Sequence, residues 1–405
     1  TLGFGLINSF FSQMGQTHMM SLFTPFIMAE FALSKSHYGL IYSLATLGGG
    51  LCIPFIGPYL DKVDIRKIAA LSGLGLVAGL VLLTQSTGPL TLILYLFILR
   101  LFGQGLCSQI CQISIARYFD KNRGKAIVIA FMGFSLAEGL MTPVISRFLE
   151  IHPWRSVALG LAGETFFIYI PLALLLTASI PAFNKFSDFP KKETPLNTTP
   201  LGTDLSTEAP STQWTRTDVL KHSLIYVIFL QALLPPFTLT GIFFYQAAIG
   251  ELQGWPLSTM ALGFTGFAGA RFFSSFLGGP SVDKWGAFKL FPWLNWPMLF
   301  GFIILGTFTP SWTPFLACLF FGVTVGIGSS VKAALYPELY GVRFLGSIKS
   351  AVSMLMVFST ALAPFLFGTL LDRGLTAQQL FYSLFIRNQL FHFLFYARHL
   401  ASPAS

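Results

Sequence analysis

The chain has 405 residues, of which 54% are hydrophobic and only 10% charged, with a formal net charge of +9. Soluble domains carry about a quarter charged residues, so this composition excludes a water-covered surface, whereas roughly twelve spans of about 20 residues would use most of the chain. The surplus Lys and Arg collect in alternate loops, which orients membrane helices and argues against a nucleic-acid surface.

The apolar segments are continuous, as in Leu92-Ile93-Leu94-Tyr95-Leu96-Phe97-Ile98-Leu99, whereas an outer-membrane barrel would alternate apolar and polar residues. The sequence predicts an all-α membrane protein of twelve transmembrane helices. Six fall near 2–28, 38–60, 68–84, 90–116, 126–146 and 155–179, and six near 222–247, 258–281, 288–308, 313–336, 349–371 and 377–397.

The first span lacks a basic start and a small-residue cleavage site, so a retained helix is expected. It carries an unusually polar stretch, Gln13-Met14-Gly15-Gln16-Thr17-His18, as a helix does when one face lines a cavity. The second span closes with Gly57-Pro58-Tyr59-Leu60-Asp61-Lys62 and a polar loop holding Arg66 and Lys67. The same pattern returns 222 residues later as Gly279-Pro280-Ser281-Val282-Asp283-Lys284. The chain therefore reads as an internal duplication: residues 1–182 and 221–405 form two six-helix bundles, and residues 183–220 form a flexible linker rich in Pro, Ser and Thr. Cys52, Cys107, Cys111 and Cys318 all lie in apolar runs without metal-ligand spacing, which suits small buried residues.

A charge at bilayer depth costs at least about 2.5–3.5 kcal/mol on insertion scales and needs a partner or a wet cavity. Arg100, Glu138, Glu164, Arg271, Lys332 and Arg387 fall at such depths. Lys332 lies near a helix end and can snorkel. Arg100, Glu138 and Glu164 share an estimated level, and His18 lies near it, so the group can be either a structural ion pair or a coupling network. Arg271, midway along the eighth span among small residues, can grip a carboxylate through two parallel hydrogen bonds or can be neutralised by an acid on a neighbouring helix.

With the N-terminus placed inside, seventeen Lys and Arg fall in the cytoplasmic loops and four, Lys35, Arg147, Arg155 and Arg373, in the opposite loops. That count predicts both termini and the linker on the cytoplasmic side of an inner membrane. No phosphate-binding loop, nucleophile motif or metal cluster is present, so neither an enzyme nor a cofactor is expected.

The loop from Gly57 through Asp61 and Lys62 to Arg66 and Lys67 resembles the signature loop of the major facilitator superfamily, with Asp64 where that family usually has Gly. The weaker copy at Gly279, Asp283 and Lys284 sits where the family's pseudosymmetry places it, and Arg100-Leu101-Phe102-Gly103-Gln104-Gly105 is similar to the family's Arg/Gly motif in the fourth span. The resemblance implies a secondary transporter that rocks between two states, with Gly57, Asp61, Lys62, Arg66, Lys67, Gly279, Asp283 and Lys284 at a gate. An arginine at position 271 resembles the substrate-binding arginine of the oxalate and monocarboxylate branch, although it lies deeper relative to Asp283. The expected cargo is a small organic anion, with protons as co-substrate. Arg271, Gln13, Gln16, Thr17 and His18 are expected to bind it, and Arg100, Glu138 and Glu164 to couple its movement. The protein is expected to act as a monomer in the lipid bilayer without nucleic acid. Drug efflux and a non-transporting receptor or scaffold on the same fold are the alternatives.

Overall fold

The computed structural model describes residues 2–60, 63–118, 123–178, 219, 221, 223–341, 345–376, 378–384 and 386. The 183–218 linker, Asp61, Lys62 and Arg387 lie outside these residues. The described residues are helical, with no strand among them. Nine helices among them are long and apolar enough to cross a membrane. Large apolar side chains such as Phe55, Phe167 and Phe273 point outward, at 77%, 74% and 70% exposure. In water such a surface would drive association; in lipid it is the solvated face.

In the first half the helices are α1 (Leu2–Phe11), α2 (Thr17–Glu30), α3 (Lys35–Leu60), α4 (Ile65–Leu83), α5 (Pro89–Leu99), α6 (Ser108–Tyr118), α7 (Arg123–Ile151), α8 (Trp154–Glu164) and α9 (Ile170–Ala178). The second half gives α10 (Ser223–Phe244), α11 (Gln246–Gln253), α12 (Leu257–Trp285), α13 (Ala287–Leu290), α14 (Trp296–Thr307), α15 (Thr313–Tyr340) and α16 (Leu345–Asp372).

The first span is not one helix. A tight turn at Ser12–Gly15 and extended backbone at Gln16 separate α1 from α2. The break faces a widened π-type turn, Arg100–Cys107, in the fourth span. A side-chain carbon on Gly15 would strike the Leu99 carbonyl and lie 2.9 Å from the Gly103 Cα. Glycine at both positions thus lets two irregular backbones touch, which neither hydropathy nor periodicity reveals.

The signature loop also differs from a plain polar turn. Asp64 caps α4, its side chain accepting a hydrogen bond from the Arg66 amide at 2.9 Å. The residue that departs from the family pattern therefore satisfies an otherwise orphaned helix-end donor. In the second copy, helix α12 runs through Gly279 and Asp283 to Trp285, and the loop shrinks to Gly286 with φ of 79°. The Glu338 carboxylate on α15 accepts from the amides of Ala287 and Phe288, at 2.8 and 3.2 Å, and so caps α13. Asp283 itself is exposed.

At the opposite ends of these helices the two halves meet along α3 and α16. Gly39 packs on the Pro364 backbone, Gly368 on the Lys35 carbonyl and Gly50 on Val357. The Asp372 carboxylate accepts from the Lys35 and Ser36 amides at 3.2 and 2.7 Å, placing a negative charge at the positive end of α3. The Tyr245 hydroxyl donates towards the carbonyls of Lys35 and Pro364 at 2.7 and 2.9 Å. At the same end, Arg155 and the Trp154 indole donate to Glu30. The Arg155 bond is the main reason the Glu30 carboxyl lies below its ordinary range, against a smaller opposing effect of burial.

Candidate functional site

A buried cluster of polar side chains forms where α1, α2, α7 and α12 converge. Its centre is an ion pair between the halves: the Arg271 guanidinium on α12 lies 2.7 Å from Glu138 Oε2 on α7. The Glu138 side chain is 3% exposed and that of Arg271 is 18% exposed, so only Arg271 of the two is partly open. Arg271 also donates to the Ser135 hydroxyl at 2.8 Å, and its guanidinium lies over the rings of Phe134 and Phe267, with centroids at 4.9 and 5.2 Å. Aromatic faces attract a cation without neutralising it, so the charge stays available to an anion.

Close backbone packing fixes both partners. On α15, a side chain at Gly322 would crowd the Phe267 carbonyl and lie 2.9 Å from the Arg271 amide, and one at Gly326 would lie 2.5 Å from the Arg271 carbonyl. Two glycines thus let α12 lie directly against α15 and hold the backbone that carries Arg271. On the other side, Gly133 lies against the Leu6 carbonyl and the Ser9 hydroxyl, which seats α7 on α1. The Thr265 hydroxyl donates to the carbonyl of Gly139, the residue after Glu138, at 2.7 Å and ties α12 to α7.

The broken first span supplies the rest. Gln13 Nε2 donates to the Phe134 carbonyl at 2.8 Å, and Gln13 Oε1 meets His18 Nε2. His18 Nδ1 lies 3.4 Å from Glu138 Oε1. The kink brings Gln13 and His18 to one side, a juxtaposition a straight helix would not make.

Other expected members stand apart. Arg100 is not paired with Glu138 or Glu164. It donates to the Gly15 carbonyl at 2.9 Å and the Thr17 hydroxyl at 3.3 Å, and it lies over the Tyr42 ring at 5.0 Å. It ties the fourth span to the break in the first through carbonyl and hydroxyl dipoles. Thr17 is thereby engaged with Arg100 and with the Tyr42 hydroxyl, at 3.2 Å. Gln16 is buried at the break. Glu164 is half-buried, and no ion pair to it is found among the described residues. Ser135 was not foreseen, although it precedes Glu138 by three residues and so shares its helix face.

The family model of the Major Facilitator Superfamily matches residues 5–364. The chain belongs to the major facilitator superfamily. A gallate transporter of Pseudomonas putida is 29% identical over 161 residues, which are 39% of this chain and 34% of that protein. Monocarboxylate transporter 12 of Xenopus laevis is 29% identical over 149 residues, covering 36% and 32% of the two chains. The chain thus spans about a third of the length of the curated relatives it matches. Among solved structures, a bacterial homologue of the human lysosomal transporter Spinster superposes with a TM-score of 0.70 at 18% identity, covering 100% of this chain and 98% of that one. The nucleoside transporter NupG superposes with a TM-score of 0.68 at 14% identity, covering 98% of each chain. At these identities the likeness is one of fold.

The ion pair predicts a pattern of stability. Glu138→Gln leaves Arg271 with an unbalanced charge and should lower the melting temperature, as losses of up to about 3–5 kcal/mol follow when one partner of a buried pair is removed. Glu138→Gln combined with Arg271→Gln should recover much of the loss in a thermal unfolding assay. Additive losses in the double variant would show that the two side chains do not depend on each other.

Proposed function

We propose that the protein is a secondary transporter that moves a small organic anion bearing a carboxylate by alternating access, with protons as the coupling ion. The observation that carries this reading is the Arg271–Glu138 pair at 2.7 Å, in which the carboxylate is fully enclosed and the guanidinium keeps one open side. A guanidinium offers a planar fork of donors that matches a carboxylate. A substrate carboxylate presents the same two oxygens as Glu138, so it can take over Arg271 by exchange. Because Arg271 and Glu138 belong to opposite halves, that exchange removes a tie between them and biases the halves toward rearrangement, as differential contacts must if a ligand is to shift a conformational equilibrium.

The relatives named gallate transporter and monocarboxylate transporter 12 support a carboxylate, since both names denote one. The enclosure of Glu138 supports proton coupling, because a carboxylate that loses its cation in a dry site is neutralised most cheaply by a proton. The basic-loop count supports an orientation with the 183–220 linker and the signature loop in the cytoplasm of the cell, and residues 1–182 and 221–405 as the two moving units. Labelling of single cysteines placed in the linker should require a membrane-permeant reagent from the outside. Ready labelling by an impermeant one would invert the orientation.

Arg271→Lys tests the substrate assignment. Lysine keeps the charge and loses the fork, so carboxylate affinity should fall about tenfold or more, in line with the roughly 1.5–3 kcal/mol of a charge-assisted hydrogen bond. The readout is equilibrium binding of a carboxylate panel to purified protein, with uptake into proteoliposomes beside it. Unchanged affinity in Arg271→Lys would remove the anion assignment.

A further inference from the structure

We propose that Gln13 fixes His18 in the tautomer whose Nδ1 lone pair faces Glu138, so that His18 and Glu138 together take up one proton when a substrate carboxylate claims Arg271. This inference rests on the anion reading above and assigns the proton a place.

The direction of the Gln13 amide follows from its partners. Gln13 Nε2 lies 2.8 Å from the Phe134 carbonyl oxygen, which can only accept a hydrogen bond. The NH2 group must therefore point there, and the amide oxygen must point to His18 Nε2, where it lies. An amide oxygen also only accepts, so Nε2 carries the imidazole hydrogen. A neutral imidazole has one N–H, which leaves Nδ1 as a bare lone pair.

That lone pair faces Glu138 Oε1 at 3.4 Å. With Glu138 ionised the contact sets acceptor against acceptor, and its length exceeds the roughly 2.7–2.9 Å of a charge-assisted bond. One proton, on either atom, turns the contact into a hydrogen bond. Without an anion the proton is not required, because Glu138 Oε2 is held by Arg271 at 2.7 Å. Once a substrate carboxylate takes the guanidinium, Glu138 has no cation and is 3% exposed. A proton drawn from the water on the loading side then forms a new N–H or O–H bond within the His18–Glu138 pair. When the anion leaves on the other side and Glu138 regains Arg271, that bond breaks and the proton returns to water. One anion thus moves with one proton.

The surroundings limit the uptake to one. Arg271 on α12 faces Glu138 from one side. Arg100, from the π-type turn of the fourth span, is tied to Gly15 and Thr17 immediately before His18, and as a fixed cation it opposes a second proton. Tyr42 on α3 reaches Thr17 through its hydroxyl. Cys318, buried on α15, lies within electrostatic reach of Glu138. The rings of Phe134 and Phe264 flank the imidazole, with centroids at 5.8 and 5.7 Å, and exclude water.

Two measurements test the proposal. In lipid bilayers near neutral pH, 15N-histidine spectra of the wild-type protein, with His18 assigned by its absence in His18→Gln, should show hydrogen on Nε2 and a bare Nδ1. Hydrogen on Nδ1 would overturn the assignment whatever the protein transports. In weakly buffered detergent solution with a pH-sensitive dye, binding of benzoate, lactate or oxalate should take up close to one proton per anion, and affinity should rise about tenfold per unit fall in pH. His18→Gln, which leaves Glu138 to take the proton without the Nδ1 lone pair, should bind anions with the proton uptake and the pH profile displaced to lower pH. Gln13→Leu, which frees the ring to turn, should weaken the pH dependence while anions still bind. Anion binding without proton uptake in the wild type, or a pH profile unchanged in His18→Gln, would overturn the proposal and leave the anion reading standing. If none of the three anions binds, the anion reading falls and the proton link falls with it, while the tautomer measurement still decides the assignment of Gln13.

Discussion

A guanidinium cannot shed its proton, so a protein that places one at membrane depth must surround it with compensation. In this chain most of the compensation for Arg271 comes from the opposite half, from Glu138, Ser135 and the face of Phe134, and the face of Phe267 adds to it from the same helix as Arg271. Much of the remaining structure serves that pair. Gly322 and Gly326 hold the backbone of Arg271, Gly133 seats the helix of Glu138, and Thr265 ties the two helices beside the contact. The pair joins the two halves.

The contrast with Arg100 is instructive. Both arginines are intramembrane, yet Arg100 is 3% exposed and is held by a carbonyl, a hydroxyl and an aromatic face within its own half, with its buried Nε left without a hydrogen-bond partner. Arg271 keeps an open side and an acid that a ligand can imitate. In the proposed cycle Arg271 is the charge whose partner a solute can replace, and Arg100 is not.

Much of the architecture was legible in the sequence because hydropathy, loop charge and the repeated Gly-Pro-x-x-Asp-Lys pattern are properties of single segments. The depth of Arg271, Glu138 and His18 was legible for the same reason. Their pairing was not: helical position gives depth along the membrane but says little about which face of a distant helix will be opposite, and Arg100 was as good a partner for Glu138 as Arg271. The break at Ser12–Gly15 was also hidden, since it depends on Gly15 meeting the π-type turn near Gly103. The polar stretch from Gln13 to His18 signalled something unusual in the first span, but a cavity-lining face and a broken helix leave the same mark on composition. Asp64 looked like a departure from a motif and proves to be a helix cap, a role that its position just before an apolar run could have suggested.

The account turns on the exchange of one carboxylate for another at Arg271. The most direct measurement is a structure of the protein saturated with a bound carboxylate. The predicted result is a ligand carboxylate within about 2.7–2.9 Å of the Arg271 guanidinium, with Glu138 turned from the cation toward His18. A ligand bound elsewhere, with the Arg271–Glu138 contact intact, would contradict it.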